Sequence, residues 1–197
     1  MGEIWAVILA AGESKRMGSP KMLLPFNGST MIECVIANVT KSDVDKIIVV
    51  LGAEKEVLIQ LTGKWPIEYC YNENYKEGML SSVQCGLKNL PPLCKASLVF
   101  QGDQPLIPSE TINAVIKAYA SSEKGIVIPV YEKKRGHPIL IDMKYRNDID
   151  NLSPGDGLRS LSYMFPADVL EVDTNESGIL RDFDTYEQYT KGINIIK

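Results

Sequence analysis

The chain has 197 residues, 45% of them hydrophobic and 23% charged, proportions that allow one globular domain with a real core and exclude disorder and low complexity. A formal net charge of -4 argues against a general nucleic-acid binder, although a local basic loop can still hold a small anion. No stretch is apolar for long enough to cross a bilayer, and the start MGEIWAV lacks the basic and apolar regions of a leader, so a cytoplasmic protein with no membrane partner is expected.

Residues 4–9 form an apolar run that reads as a buried strand emptying into a glycine-punctuated loop. Met31, Ile32, Val35, Ile36 and Val39 then recur at helical spacing behind Ser29 and Thr30, which can cap the helix. The β-branched run 46–51 predicts a second strand, 53–61 a helix, and 66–71 a short third strand. Leu80, Val83, Leu87 and Leu90 mark a helix face that Pro91 and Pro92 end. A strand over 97–101 delivers Asp103 into a loop, and Ile112, Val115, Ile116 and Tyr119 mark the next helix. The strand 125–131 runs into the basic turn EKKRGHP and returns through 139–141. The last third is less periodic: a helix over 144–152, a turn at 154–157, a short helix from Leu158, a strand near 169–172 and a closing helix after Asp184. Alternating strands and helices with short connections predict an α/β domain spanning 1–197, with a mostly parallel open sheet and helices on both faces. Cys34, Cys70, Cys85 and Cys94 show no C-x-x-C spacing and read as reduced, mostly buried thiols.

The loop after the first strand carries Lys15, Arg16 and Lys21 between Gly12 and Gly18. Glycines let a ligand approach the main chain, and N–H groups with cationic side chains supply donors, so the loop suits a triphosphate. It is neither of two better-known phosphate loops: the Walker spacing fails at Ser19, and the Rossmann fingerprint fails at Ser14. Taken alone, a basic glycine loop is more often a solvated surface turn.

The full pattern L-A-A-G-x-S-x-R-M-G-x-P-K-x-L-L over 9–24 resembles the signature loop of the MobA-like NTP transferases, nucleotidyltransferases that activate sugars, isoprenoid precursors and the molybdenum cofactor. Ala10-Ala11-Gly12, Arg16-Met17-Gly18 and Pro20-Lys21 are spaced as in the molybdenum cofactor cytidylyltransferase branch. The resemblance implies a Rossmann-like sheet of the nucleotide-diphospho-sugar transferase type. It also implies main chain at Leu9, Ala10, Ala11 and Gly12 around the nucleotide, and Arg16 and Lys21 as catalytic cations on the phosphates.

In an open parallel sheet, ligands collect beyond the carboxyl ends of the strands, which is where Asp103 falls in QGDQP. An aspartate after a strand is often only a turn former. The resemblance assigns Asp103 to catalysis and to Mg²⁺, a cofactor that takes one or two protein carboxylates plus substrate phosphates. GILRDFDTYEQY resembles the family's closing D-I-D-T-P-E-D-Y, which gives Asp184 as the second ligand and Asp182 as the lesser one. The chain has Tyr186 and Gln188 where the family tends to have proline and aspartate. Asp184 also stands where a helix N-cap would, and the two roles are compatible.

Asn72, Gly78, Met79, Ser81 and Ser82 match N-x-x-x-x-x-G-M-x-S-S, a turn that in the family borders the base and sugar; the same residues also make ordinary helix caps. The only histidine, His137, lies in R-G-H-P. A lone histidine is usually structural, but the resemblance points Arg135, Gly136 and His137 toward the acceptor pterin, with Lys133 and Lys134 solvated. The implied reaction moves CMP from CTP to the phosphate of molybdopterin or the molybdenum cofactor and releases pyrophosphate. Its rivals are guanylyl transfer from GTP, a sugar or polyol phosphate acceptor, and a non-catalytic carrier that hands the pterin to a molybdoenzyme apo-protein.

Overall fold

The computed structural model describes residues 2–153 and 155–196, with backbone only at Arg16 and 193–196. In chain order the strands are β1 (Glu3–Ala10), β2 (Pro25–Phe26), β3 (Ser29–Thr30), β4 (Lys46–Leu51), β5 (Glu68–Tyr71), β6 (Cys94–Gln101), β7 (Ile126–Tyr131), β8 (Lys134–Arg135), β9 (Ile139–Asp142) and β10 (Val169–Asp173). The helices are α1 (Met31–Thr40), α2 (Lys55–Thr62), α3 (Met79–Lys88), α4 (Ser109–Ala120), α5 (Arg146–Asp150), α6 (Arg159–Met164) and α7 (Tyr186–Ile196).

Side chains alternate across a strand, and on β1 this alternation divides the interior into two cores. Ala6, Ile8 and Ala10 face one side, with Ile32 and Ile36 of α1, Leu58 of α2 and Ile112 and Val115 of α4. Trp5, Val7 and Leu9 face the other, with Val83 and Leu87 of α3, Ile149 of α5 and Leu161 of α6. A strand buried on both faces must be apolar at every position, which is why residues 4–9 read as a continuous run. The result is the expected single-domain α/β fold with helices on both faces.

The sheet runs β10-β7-β9-β6-β1-β4-β5. β1 pairs parallel with β4 on one side and with β6 on the other, so the chain moves outward through β4 and β5 and then crosses back to β6. The order reverses at β1, and a crevice opens above the carboxyl ends of β1 and β6. Two strands depart from the parallel set: short β8 is antiparallel to β7, and β9 is antiparallel to both β6 and β7. It returns after a two-residue turn at Glu132 and Lys133, both at positive φ (48° and 63°), which joins β7 to β8. Such a turn matches strand twist, and it usually carries Asn-Gly, a cue this sequence lacks.

Some boundaries differ from the sequence reading. β6 begins at Cys94 because Glu3 at the start of β1 pairs with it. The helix expected over 144–152 is a 3-10 turn at Met143–Tyr145 followed by α5, since the Asp142 carboxylate accepts from Lys144 N at 2.8 Å and tightens the first turn. Of the turn at 154–157, Pro154 lies outside the described residues, and Asp156 N donates to Ser153 O at 2.8 Å.

The expected cap of α1 is centred on buried Glu33. Its carboxylate accepts from Ser29 Oγ at 2.8 Å, Thr30 Oγ1 at 2.7 Å and Thr30 N at 3.2 Å, and pairs with Lys64 Nζ at 2.5 Å. Burial alone would raise its pKa, but Lys64 and the hydroxyl donors outweigh that and hold it at about 2, below its ordinary 4.5. A carboxylate depressed in the folded state contributes stability that is present above pH 4.5 and lost as pH falls toward 2. Glu33→Gln is expected to cost about 1–3 kcal/mol at neutral pH, and the cost should shrink in that acidic window. Urea titrations of both proteins at neutral pH and near pH 3 check this; a pH-independent difference would remove Glu33 from the acid response.

Candidate active site

The loop after β1 is folded by one side chain. Ser14, at φ 52°, accepts from Lys21 N through its Oγ at 3.0 Å and from Met17 N through its carbonyl at 2.9 Å. The two 3-10 turns Lys15–Met17 and Lys21–Leu23 are thereby drawn together, and Ala11 O accepts from Ala53 N at 3.2 Å at the loop's root. Lys15 is exposed and paired with Glu13 at 2.8 Å. The side chain of Arg16 lies outside the described residues.

Lys21 turns inward. Its ammonium pairs with the Asp103 carboxylate and, at 3.0 Å, with Asp184 Oδ1. Burial disfavours the charged ammonium, but the attraction of Asp103 and then of Asp184 exceeds that cost and raises its pKa. Asp182 stands beside this group with its pKa raised, first by burial and then by the negative charges of Asp184 and Asp103.

The C-terminal segment is brought here by aromatic packing. Phe183 packs on Phe26 with ring centroids 5.5 Å apart, Met31 and Tyr189 complete the cluster, and Tyr189 Oη donates to Pro25 O at 2.6 Å. Gln188 Oε1 accepts from Asp184 N at 3.0 Å and Thr185 N at 2.9 Å, while Gln188 N donates to Thr185 Oγ1 at 3.2 Å. Thr185 is thus the N-cap of α7 and Gln188 closes its capping box. This corrects the reading of Asp184 as a cap: its carboxylate faces Lys21 instead.

These groups border a cleft of about 320 Å³. Leu9, Ala11, Gly12, Lys21, Gly78 and Ser82 line it, six of the residues expected at the nucleotide. Ala10 points into the core below. Asn72 and Ser81 stand behind the wall: Asn72 Nδ2 donates to Ser81 Oγ at 2.9 Å and Ser82 Oγ at 3.0 Å, and Ser81 Oγ lies 2.8 Å from Gly78 O. They hold the turn whose Gly78, at φ +109°, takes a conformation closed to most side chains. The sequence reading missed Met22, Tyr75 and Gln101 on the lining; an apolar or aromatic residue in a 3-10 turn (Met22, Tyr75) and an amide at the end of a strand (Gln101) carry no motif of their own.

A second cavity of about 460 Å³ adjoins the first and shares Leu9 and Met79 with it. Arg135, Gly136 and His137 line this one together, with Arg159, Ser162 and Tyr163 of α6 opposite. Arg135 is braced by Glu171 Oε1 at 2.7 Å and Ser162 Oγ at 3.1 Å. A side chain at Gly136 would meet Ile179 O at 2.4 Å, so that glycine is required for close backbone packing. Lys133 and Lys134 are exposed, as expected. Arg159 and Tyr163 were not singled out in the sequence, because nothing in a short, weakly periodic helix announces which face meets a cavity.

Two carboxylates converging on one cationic point form an oxygen donor set for a hard cation. Among the described residues no group of three or more His, Cys, Asp or Glu side chains could hold a metal by itself. That pattern fits Mg²⁺ or Mn²⁺ held jointly by protein carboxylates and a ligand's phosphates. A basic loop at the switch point, a carboxylate rim beside it and a second cavity next door define a nucleotide-binding α/β domain.

The chain belongs to the family described as the MobA-like NTP transferase domain, whose model matches residues 6–168. It is accordingly an enzyme of the nucleotidyltransferase family. It is 31% identical to the molybdenum cofactor cytidylyltransferase of Escherichia coli, over 72% of this chain and 71% of that protein. It is 29% identical to the nicotine blue oxidoreductase of Paenarthrobacter nicotinovorans, over 94% of each. Among solved structures, Rv0371c of Mycobacterium tuberculosis superposes with a TM-score of 0.87 at 23% identity, covering 98% of each chain. The same protein as a manganese complex gives 0.83 at 22% identity, again over 98% of each.

His137 lies between the cavities, its Nε2 3.4 Å from Gln101 Nε2. Burial lowers its pKa to about 4, with Arg159 acting in the same direction and Asp103 against it. A folded pKa below the ordinary 6.5 favours the neutral ring, a contribution present above pH 6.5 and lost as pH falls toward 4. In the folded protein the single histidine signal should therefore stay at its neutral shift from pH 8 down to about 5. An NMR titration with a midpoint near 6.5 would contradict this.

Proposed function

We propose that the protein transfers CMP from CTP to the terminal phosphate of molybdopterin or the molybdenum cofactor, with pyrophosphate leaving. The observation that carries the proposal is the Lys21–Asp103–Asp184 cluster lining a cleft of about 320 Å³ that adjoins a second, partly apolar cavity. Likeness to a cytidylyltransferase over most of both chains and the Ala10-Ala11-Gly12 spelling support the choice of base and acceptor.

In this reading Asp103 and Asp184 hold a divalent cation, Mg²⁺ in the first instance, which when bound supplies charge neutralisation at the α-phosphate. Lys21 follows the phosphates and offsets charge on the leaving pyrophosphate, and Arg16 on the same loop does likewise. The main chain at Leu9, Ala11 and Gly12 and the Ser82 hydroxyl hold the nucleoside end, braced from behind by Asn72 and Ser81. Arg135, Gly136 and His137 receive the acceptor. A phosphomonoester has a second pKa of about 6 and is mostly ionised at neutral pH, so it needs no strong general base, and a neutral His137 is suited to hydrogen bonding. Catalysis is then mainly positioning and charge stabilisation.

Asp103→Ala should abolish metal-dependent pyrophosphate release; because it also removes a buried countercharge of Lys21 it should cost some stability, so a native circular dichroism spectrum is the control. Lys21→Ala should lose much more transfer than acceptor affinity. Equal loss of both, or no transfer by the unmutated protein with any NTP, would favour a carrier or the redox chemistry named for the nicotine blue relative.

Base choice is tested separately. Ala11 is a buried residue bordering the cleft; in this reading its methyl leaves less room for a purine than glycine would, and exclusion by one methyl is worth about 1–3 kcal/mol. CTP is expected to exceed GTP in kcat/KM, with Ala11→Gly narrowing the gap. Equal CTP and GTP in competition, read from the mass of the dinucleotide product, checks this; a mainly guanylylated product would leave nucleotidyl transfer standing and overturn the base assignment.

A further inference from the structure

The four cysteines are all free thiols, but two of them are not isolated. Cys70 on β5 and Cys85 on α3 lie with their sulfurs 3.9 Å apart. Cys70 is buried, whereas Cys85 is partly exposed and its Sγ also lies 3.5 Å from Tyr71 O and 3.9 Å from Asn89 Nδ2. A bond needs the two sulfurs to close from this contact to about 2.05 Å. Cys34 and Cys94 have no such neighbour among the described residues: each has its thiol directed at a backbone carbonyl, Phe26 O and Ala96 O, both at 3.3 Å.

We infer that Cys70 and Cys85 form a thiol–disulfide modification site, oxidised by hydroperoxides through attack of Cys85. The asymmetry of the pair sets the order of events. Cys85 is the more accessible sulfur, and contact with the Cys70 thiol, together with the positive charge of Lys88 one turn on, favours its thiolate. Cys70 is shifted upward, first by its contact with Cys85 and then by burial. A thiolate is the form that attacks peroxide, and reactivity follows thiolate character and access.

The Cys85 thiolate attacks one peroxide oxygen and the O–O bond breaks. Sulfenic acid forms on Cys85, and the departing hydroxide takes a proton to become water. The Cys70 sulfur then attacks the Cys85 sulfur, the S–O bond breaks, and the second hydroxide leaves with the Cys70 proton as water. Two thiols and one hydrogen peroxide thus give one disulfide and two waters. The bond would tie the end of β5 to the middle of α3, on either side of the segment that carries Asn72, Gly78, Met79 and Ser82. The redox state of the pair is therefore attached directly to one wall of the nucleotide cleft.

The test uses the full chain with equimolar hydrogen peroxide, followed by alkylation under denaturing, non-reducing conditions and mass spectrometry. The expected product is lighter by two hydrogens, keeps two alkylatable cysteines, yields one linked peptide joining Cys70 to Cys85, and reverts with dithiothreitol. Cys70→Ser, checked for folding by circular dichroism, should stop at sulfenic acid on Cys85, trapped by a cyclic 1,3-dione. Four thiols still alkylatable after treatment, a linked peptide involving Cys34 or Cys94, or sulfenic acid trapped on Cys70 in Cys85→Ser faster than on Cys85 in Cys70→Ser would overturn the proposal. The wild-type result decides even if a variant fails to fold.

Discussion

One ammonium ties together three parts of the chain that sequence keeps far apart. Lys21 comes from the first loop, Asp103 from the exit of β6 and Asp184 from the segment before α7, and the two ion pairs span 82 and 163 residues. An ammonium held at low exposure needs its countercharges, since desolvation without them would cost several kcal/mol. The rest of the structure can be understood as the means of meeting that need. Parallel pairing of β1 with β6 sets two of the groups side by side on one rim, and the Phe26–Phe183 packing brings in the third from the C-terminal end.

This explains which parts of the molecule could be read from sequence. The strands and helices through α4 have strong periods because β1, β4 and β6 are buried on both faces and each long helix lies against the sheet, so burial writes itself into the order of residues. The first loop was legible through its full pattern, not through its glycines or lysines singly. Asp103 was legible as a rim residue because it follows a strand that could itself be recognised.

The parts that were not legible depend on partners distant in sequence. Asn72 and Ser81 carry the right groups to read a base, yet their hydrogen bonds go to each other and to the Gly78 turn. Only the folded geometry separates the wall from what stands behind it. Likewise, Gln188 looked like a departure from the family pattern. In the structure its amide oxygen accepts from the backbone N–H groups of both Asp184 and Thr185, which an aspartate could also do, so the change of residue preserves the cap. The return through β9 was legible from the basic turn after β7, but the tight Glu132–Lys133 turn and the short β8 that follows it were not, because no glycine announces a two-residue hairpin there.

The charges around the cleft constrain how the proposed reaction could begin. Asp103, Asp182 and Asp184 gather about Lys21, and the raised pKa of Asp182 is the mark of mutual repulsion among carboxylates as well as of burial. A nucleoside triphosphate brings several more negative charges to the same place. Two like charges 4 Å apart repel by about 4 kcal/mol at the effective dielectric of a protein surface, so a bare triphosphate would be opposed by the residues expected to serve it. A divalent cation arriving with the phosphates reverses that sign, because each carboxylate that repelled the nucleotide then attracts the complex. Lys21, whose hold on Asp103 and Asp184 such a cation would share, would then be free to follow the phosphates. Under the proposed function the same cluster would disfavour free nucleotide and favour its metal complex, through the charges of residues that are already in place before either arrives.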